Sequence, residues 1–291
     1  MSRLVLSVDA GGVRSPIIAS TILSRIEKNL NVDTVKHLFD VYTGSSGGSL
    51  VAASAAMGMG AEEIKFAVLD MGSRAFTRGL RQRLRTANGF LGPKYRKDGL
   101  MSVLEAQFGR TRITDIEIPV CVPVTDLKTN KAIVVKSQKK QDYPDLLYLK
   151  DVLYSSSAAP TYFPFHKDRY ADGGLFAYSP GLVGYAESKF LWPEDDVIML
   201  SIGSGYAESP ASVPTRNPVA MIRKILEASL EGHARATEYI SDKIPDLFLL
   251  RVDPFVSAGF DDTSPETIQN LITAAEKWFP AIDSFCQLLR R

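Results

Sequence analysis

The chain is poor in the side chains from which metal sites and disulfide scaffolds are built. It has two cysteines, Cys121 and Cys286, and three histidines, His37, His166 and His233. The cysteines lie far apart in no metal-ligand spacing, and no two histidines stand four residues apart. No zinc centre, metal or other cofactor is expected, and the thiols read as buried and free, as in a reducing compartment. No apolar run approaches the roughly 20 residues that a membrane-spanning helix requires. The apolar stretch at the N-terminus is too short for a signal-peptide core, so a soluble, cytoplasmic protein is expected. An excess of either charge is also missing. With 34 basic and 33 acidic residues the net charge is +1, which argues against a dedicated nucleic-acid surface.

What is present is an alternation. Short β-branched runs at Leu4–Val8, Phe39–Thr43, Val120–Thr125, Ala132–Lys136, Val197–Ile202 and Leu247–Val252 read as strands. Amphipathic stretches near 16–30, 47–58, 61–70, 99–108, 180–190, 218–243 and 265–290 read as helices. Such alternation predicts an α/β layered fold. No repeat or long linker divides residues 1–291, so a single domain is expected. Ser15-Pro16 and Ser264-Pro265 each read as a capping hydroxyl before a proline at the first helical position.

Residues 71–97 differ from the rest. Arg74, Arg78, Arg81, Arg83, Arg85, Lys94, Arg96 and Lys97 occur there without an acidic residue, interleaved with apolar side chains such as Phe76 and Leu80. One reading is a solvated helix face and a loop. The other is a cap lying against anionic lipid, each cation contributing roughly 1 kcal/mol.

Two glycine clusters carry the chemistry. Gly44-Ser45-Ser46-Gly47-Gly48 fits G-x-S-x-G, in which a strand turns sharply into a helix and leaves the central serine exposed. That frame selects Ser46. Asp9-Ala10-Gly11-Gly12-Val13-Arg14 follows the first strand, and successive amides at a helix start form a nest for an anion. Such a nest holds a phosphate or the oxyanion of an acyl-transfer intermediate, and the cluster also reads as a purely structural turn. Only 45 residues precede Ser46, too few strands for an α/β-hydrolase, and neither His166 nor His233 sits in a recognisable catalytic context. A carboxylate remains. Asp172, in Tyr170-Ala-Asp-Gly-Gly-Leu175, would serve as a base if burial raised its pKa, and as an acid once protonated.

These segments, in this order, resemble the patatin-like phospholipase family. Asp9–Ser15 matches its oxyanion loop, Gly44–Gly48 its nucleophile motif, and Asp172-Gly173-Gly174 its catalytic aspartate. Ser155–Pro164 is similar to the block before that aspartate, and Leu200–Gly205 and Leu250–Asp253 to other family segments. The resemblance implies a three-layer α/β fold with a mostly parallel sheet, and a lipid acyl hydrolase without a metal. Ser46 would be the nucleophile and Asp172 its partner. The amides of Gly11 and Gly12, helped by Gly47, would hold the oxyanion, with Asp9, Arg14, Gly44, Gly48, Gly173 and Gly174 supporting the motifs. It further implies membrane lipid as substrate, peripheral membrane contact, and room for a regulatory partner or small-molecule activator. The family's first loop glycine is replaced by Ala10, which would be strained if that position needed a positive φ. Two other functions compete: a catalytically silent lipid- or partner-binding relative, and an actin-like-fold sugar kinase or ATPase that reads Leu6–Gly12 as a phosphate loop.

Overall fold

The computed structural model describes residues 1–76, 92–138, 142–206 and 218–290. Among them the strands are β1 Ser2–Val8, β2 Val41–Gly44, β3 Val120–Asp126, β4 Lys131–Lys136, β5 Tyr170–Asp172, β6 Asp196–Ile202 and β7 Leu247–Val252. The helices are α1 Arg14–Leu30, α2 Gly47–Met57, α3 Ala61–Ala75, α4 Lys97–Phe108, α5 Leu149–Ser156, α6 Gly174–Ala177, α7 Gly181–Leu191, α8 Pro218–Ser241, α9 Pro265–Glu276 and α10 Phe279–Leu289.

All seven strands join one sheet in the order β4-β3-β2-β1-β6-β7, with β5 paired to β3. The pairs β1–β2, β1–β6, β2–β3 and β6–β7 are parallel, whereas β4 and β5 run antiparallel to β3. Successive residues of a strand face opposite sides, and β1 shows why both sides are covered. Leu4, Leu6 and Val8 face one core cluster, together with Ile18 and Ile22 of α1; Val5 faces a second, with Val41, Val197 and Met199. Each fully buried aliphatic side chain of this kind stabilises the fold by roughly 1.5–3 kcal/mol. α1 packs against α2, α3, α9 and α10. α7 covers the opposite side, close enough that a Cβ on Gly184 would lie 2.8 Å from side-chain carbons of both Val5 and Thr43. The result is a three-layer α/β fold with a mostly parallel sheet.

Several local readings change. α1 begins at Arg14, with Val13 at the capping position and no side-chain cap. Ser15 therefore sits inside the first turn, its buried hydroxyl without a partner among the described residues. Pro16 is still tolerated, because first-turn amides have no intrahelical acceptor to lose. Ser264 does cap: its Oγ accepts from the Thr267 amide at 3.3 Å. The single helix expected over 265–290 is two, separated after Glu276, with Pro280 in the first turn of α10. α5 and α6 lie outside the stretches expected to be helical. Both cysteines are buried and free. Arg74, at the end of α3, pairs with Asp70 at 3.1 Å on the surface. Arg78, Arg81, Arg83 and Arg85 lie outside the described residues. Among the described residues no helix is long and apolar enough to cross a membrane.

Candidate active site

β2 ends at Gly44 and α2 begins at Gly47, so two residues must turn the chain from strand to helix. Ser46 does so with φ 51° and ψ −127°, a backbone state that costs a residue with a side chain about 1–3 kcal/mol. Its neighbours leave no alternative. A Cβ on Gly44 would lie 2.2 Å from the Gly48 carbonyl oxygen, one on Gly48 2.3 Å from the Val8 oxygen, and one on Gly47 2.1 Å from the Gly12 oxygen. The Ser46 amide donates to Ser156 Oγ at 3.1 Å, and Ser49 Oγ donates to the Ser46 carbonyl at 2.6 Å. Held in this way, Ser46 keeps 7% of its surface exposed.

Sheet topology brings Asp172 to this turn. β4 occupies one edge of β3. On the other edge β2 pairs only at Val120 and Cys121, and β5 pairs at Val124, Thr125 and Asp126. β5 thus takes the place beside β3 that β2 vacates when it turns at Gly44. Being antiparallel, it points its last residue, Asp172, back at the end of β2. Gly173 permits this approach, since a Cβ there would sit 2.1 Å from the Pro123 oxygen. Asp172 Oδ1 accepts the Gly174 amide at 2.7 Å, and its carboxyl shares the cleft with the Ser46 side chain, which acts to lower its pKa. Burial pushes its pKa up to about 7, against the lowering influence of Ser46 and the Gly174 amide.

The loop after β1 supplies amides. Those of Asp9, Ala10, Val13 and Arg14 donate to the carbonyls of Ile202, Tyr178, Phe260 and Gly11. Among the described residues no acceptor stands opposite the Gly11 and Gly12 amides, and the Gly47 amide opens α2, where none is available within the helix. Gly12 has φ 59°, with the Phe260 oxygen 2.0 Å from where a Cβ would be. Ala10 is not among the positive-φ residues, so replacing glycine there carries no such strain.

The loop is braced from the C-terminal third of the chain. Arg14 donates to the Ala258 carbonyl at 3.1 Å and to Ser204 Oγ at 3.3 Å, its guanidinium 4.2 Å over the Phe260 ring. Asp9, fully buried, accepts from Arg251 at 2.6 Å, and Arg251 also donates to Ser201 Oγ at 2.8 Å. Burial works against the charge on Arg251, but Asp9 and Asp253 more than offset it and raise its pKa. Arg251, Ser204 and Phe260 escaped assignment from the sequence. The only signals were the short segments Leu200–Gly205 and Leu250–Asp253.

Gly11, Gly12, Ser46, Gly47 and Asp172 line one cleft, open to solvent. Its other walls are mainly apolar, among them Leu50, Met71, Phe76, Leu100 and Phe163. No histidine lines it. His166 is buried against the Tyr154 and Tyr170 rings, and burial, with help from Lys97 and Lys167, pushes its pKa down to about 4. His233 lies on α8 near the Ser179 amide.

Residues 6–180 match the family described as patatin-like phospholipase. A cGAMP-activated phospholipase from Pseudomonas aeruginosa is 34% identical over 209 residues, 69% of this chain and 62% of that protein. A protein named probable inactive patatin-3-Kuras 1, from Solanum tuberosum, is 29% identical over 273 residues, covering 82% and 72%. This chain therefore spans less than two thirds of the P. aeruginosa relative. Among solved structures, VipD from Legionella pneumophila aligns over 97% of this chain and 66% of its own with a TM-score of 0.47 at 11% identity. By its match over residues 6–180, the chain belongs to the patatin-like phospholipase family.

Proposed function

We propose that the protein is a serine acyl hydrolase that cleaves fatty-acyl esters of phospholipid or galactolipid. The observation that carries this reading is that Ser46, on its strained turn, and the buried Asp172 carboxyl line one cleft, which the unpartnered amides of Gly11 and Gly12 also line. Ser46 Oγ forms a bond to the ester carbonyl carbon while its proton passes to Asp172. The carbonyl oxygen becomes an oxyanion, held by the amides of Gly11, Gly12 and Gly47. Donors of this kind contribute about 2.7–4 kcal/mol each to the transition state. Collapse breaks the ester C–O bond, and the departing alkoxide takes the proton from Asp172. Water then repeats the sequence on the acyl-enzyme and releases the fatty acid. An acid of pKa about 7 suits both halves of this cycle, accepting a proton and returning it near neutral pH.

The apolar cleft walls favour a lipid acyl chain over a polar acyl group. Peripheral contact of a cytoplasmic protein with membrane belongs to the same reading. The P. aeruginosa relative's name supplies a candidate activator, and lipid hydrolysis measured with and without cGAMP tests whether this chain shares it. The central test is a fluorophosphonate probe followed by peptide mapping. We expect an adduct on Ser46, lost in Ser46→Ala, together with fatty-acid release from mixed vesicles that both Ser46→Ala and Asp172→Asn abolish. A folded wild-type protein that takes no label would leave the silent lipid-binding relative as the better reading.

A further inference from the structure

A second pocket, partly open to solvent and with room for about one water molecule, lies behind the wall of the cleft. The two spaces share Leu50 and Met71 in their linings. Beyond that pair the cavity is bounded by Ser54 on α2, by Ile64, Ala67 and Val68 on α3, and by Gln107 on α4. The spacing along α2 gives the two spaces an order. Ser46, Leu50 and Ser54 are four residues apart, so they stack on one face, with Leu50 about 6 Å along the axis from Ser46 and Ser54 about 6 Å further. Ser46 and Leu50 line the cleft, and Leu50 and Ser54 line the cavity. α3 presents the opposing stripe: Ile64, Ala67, Val68 and Met71 follow helical spacing. Both wall residues are buried, Leu50 at 6% and Met71 at 7% exposure. Gln107 turns its side-chain amide to Met59 Sδ at 3.3 Å.

We propose that α2 measures the acyl chain, with Leu50 and Met71 as a partition that ends the chain-binding cleft, and the loosely filled pocket beyond it as the direction in which longer chains would extend once the partition is shortened. The proposal rests on the hydrolase reading, in which the acyl group is bonded to Ser46 at the start of this face. Extension from Ser46 along α2 meets the partition first and the cavity second. Met71, unbranched and adaptable, is the side of the wall that can be shortened. A wall residue of this kind sets chain length because each further methylene must either be buried or clash.

The test compares kcat/KM for octanoyl and palmitoyl esters in the wild type and in Met71→Ala. The expected result is a palmitoyl-to-octanoyl ratio raised by about tenfold or more, the discrimination that a few methylenes support in an apolar pocket. Adding Ala67→Leu, which crowds the space opened behind Met71, should return the ratio towards the wild-type value. An unchanged ratio in folded Met71→Ala that still takes the fluorophosphonate on Ser46 overturns the partition and leaves the hydrolase reading intact. Absence of labelling in the wild type removes the hydrolase reading and this inference with it. Should Met71→Ala fail to fold, two measurements replace it. Met71→Val should shift the ratio in the same direction. On the wild type, labelling rates for n-alkyl fluorophosphonates should climb with chain length and then break, and a smooth rise through palmityl overturns the proposal.

Discussion

Asp172 is buried where a carboxylate is least welcome, and its pKa couples activity and stability in opposite directions. Its folded value of about 7 stands above the ordinary 3.8. Between those values the native state holds a proton that the unfolded chain releases, so stability is full below about pH 4 and is lost as pH rises through about 7. The slope approaches roughly 1.4 kcal/mol per pH unit within that window. Asp172→Asn should therefore melt at a higher temperature than the wild type at pH 8 and at nearly the same temperature at pH 4, as calorimetry at the two pH values would measure. On the proposed chemistry the base is the ionised form, so wild-type kcat/KM for a neutral ester should rise through about pH 7 as stability falls. Ser46 makes the same trade in its backbone. Replacing it by glycine, which tolerates φ 51°, should stabilise the protein by about 1 kcal/mol in urea unfolding while removing nucleophilic activity.

At the scale of elements, the site depends on how three strands share space. β3 is longer than β2, and its unpaired remainder receives β5. The G-x-S-x-G frame was legible in the sequence because its glycines are demanded by contacts within a few residues, as at Gly44 against Gly48. The placement of β5 was not, since three residues carry no periodicity and the partner of Asp172, Val124, lies 48 residues earlier. The brace between β1 and β7 was hidden for the same reason: Asp9 and Arg251 are separated by 242 positions. Arg251→Met would leave Asp9 buried and unpaired. It should cost about 3–5 kcal/mol in urea unfolding, with Arg251→Lys recovering part of that. If the oxyanion reading is correct, the surviving folded fraction of Arg251→Met should also show a lower kcat, because Asp9 begins the loop that carries the Gly11 and Gly12 amides.

For the whole molecule, the family match ends at residue 180, yet the site does not. Arg251, Ser204 and the carbonyl of Phe260 all hold the Gly11–Gly12 loop from beyond that boundary. A truncation at residue 180 should therefore lose fluorophosphonate labelling at Ser46, even though both motif residues remain. It also removes β6, the neighbour of β1 throughout its length, so an insoluble or unfolded product is the expected outcome by light scattering. The basic run between Arg74 and Lys97 makes a separate prediction, argued from charge alone. Sedimentation with vesicles should increase with anionic-lipid content and weaken between low and physiological salt, as screening over about 8–10 Å requires. Binding indifferent to both would assign that run to an ordinary solvated surface.

The sequence by itself determined the layered α/β class and the glycine frame that singles out Ser46, and its resemblance to the patatin-like family offered Asp172 as the carboxylate to test beside it. The first two rest on short-range sterics and periodicity, which a chain carries in every local window. Tertiary structure alone decided that β5 follows β2 along β3, that burial lifts Asp172 to about 7, that Arg251 anchors Asp9, and that Leu50 and Met71 stand between two cavities. Each of these depends on which distant segments exclude water from the same volume. The small residues after Ser46 form a buried helix. In the folded protein their helix also points from the serine to a wall and a space behind it.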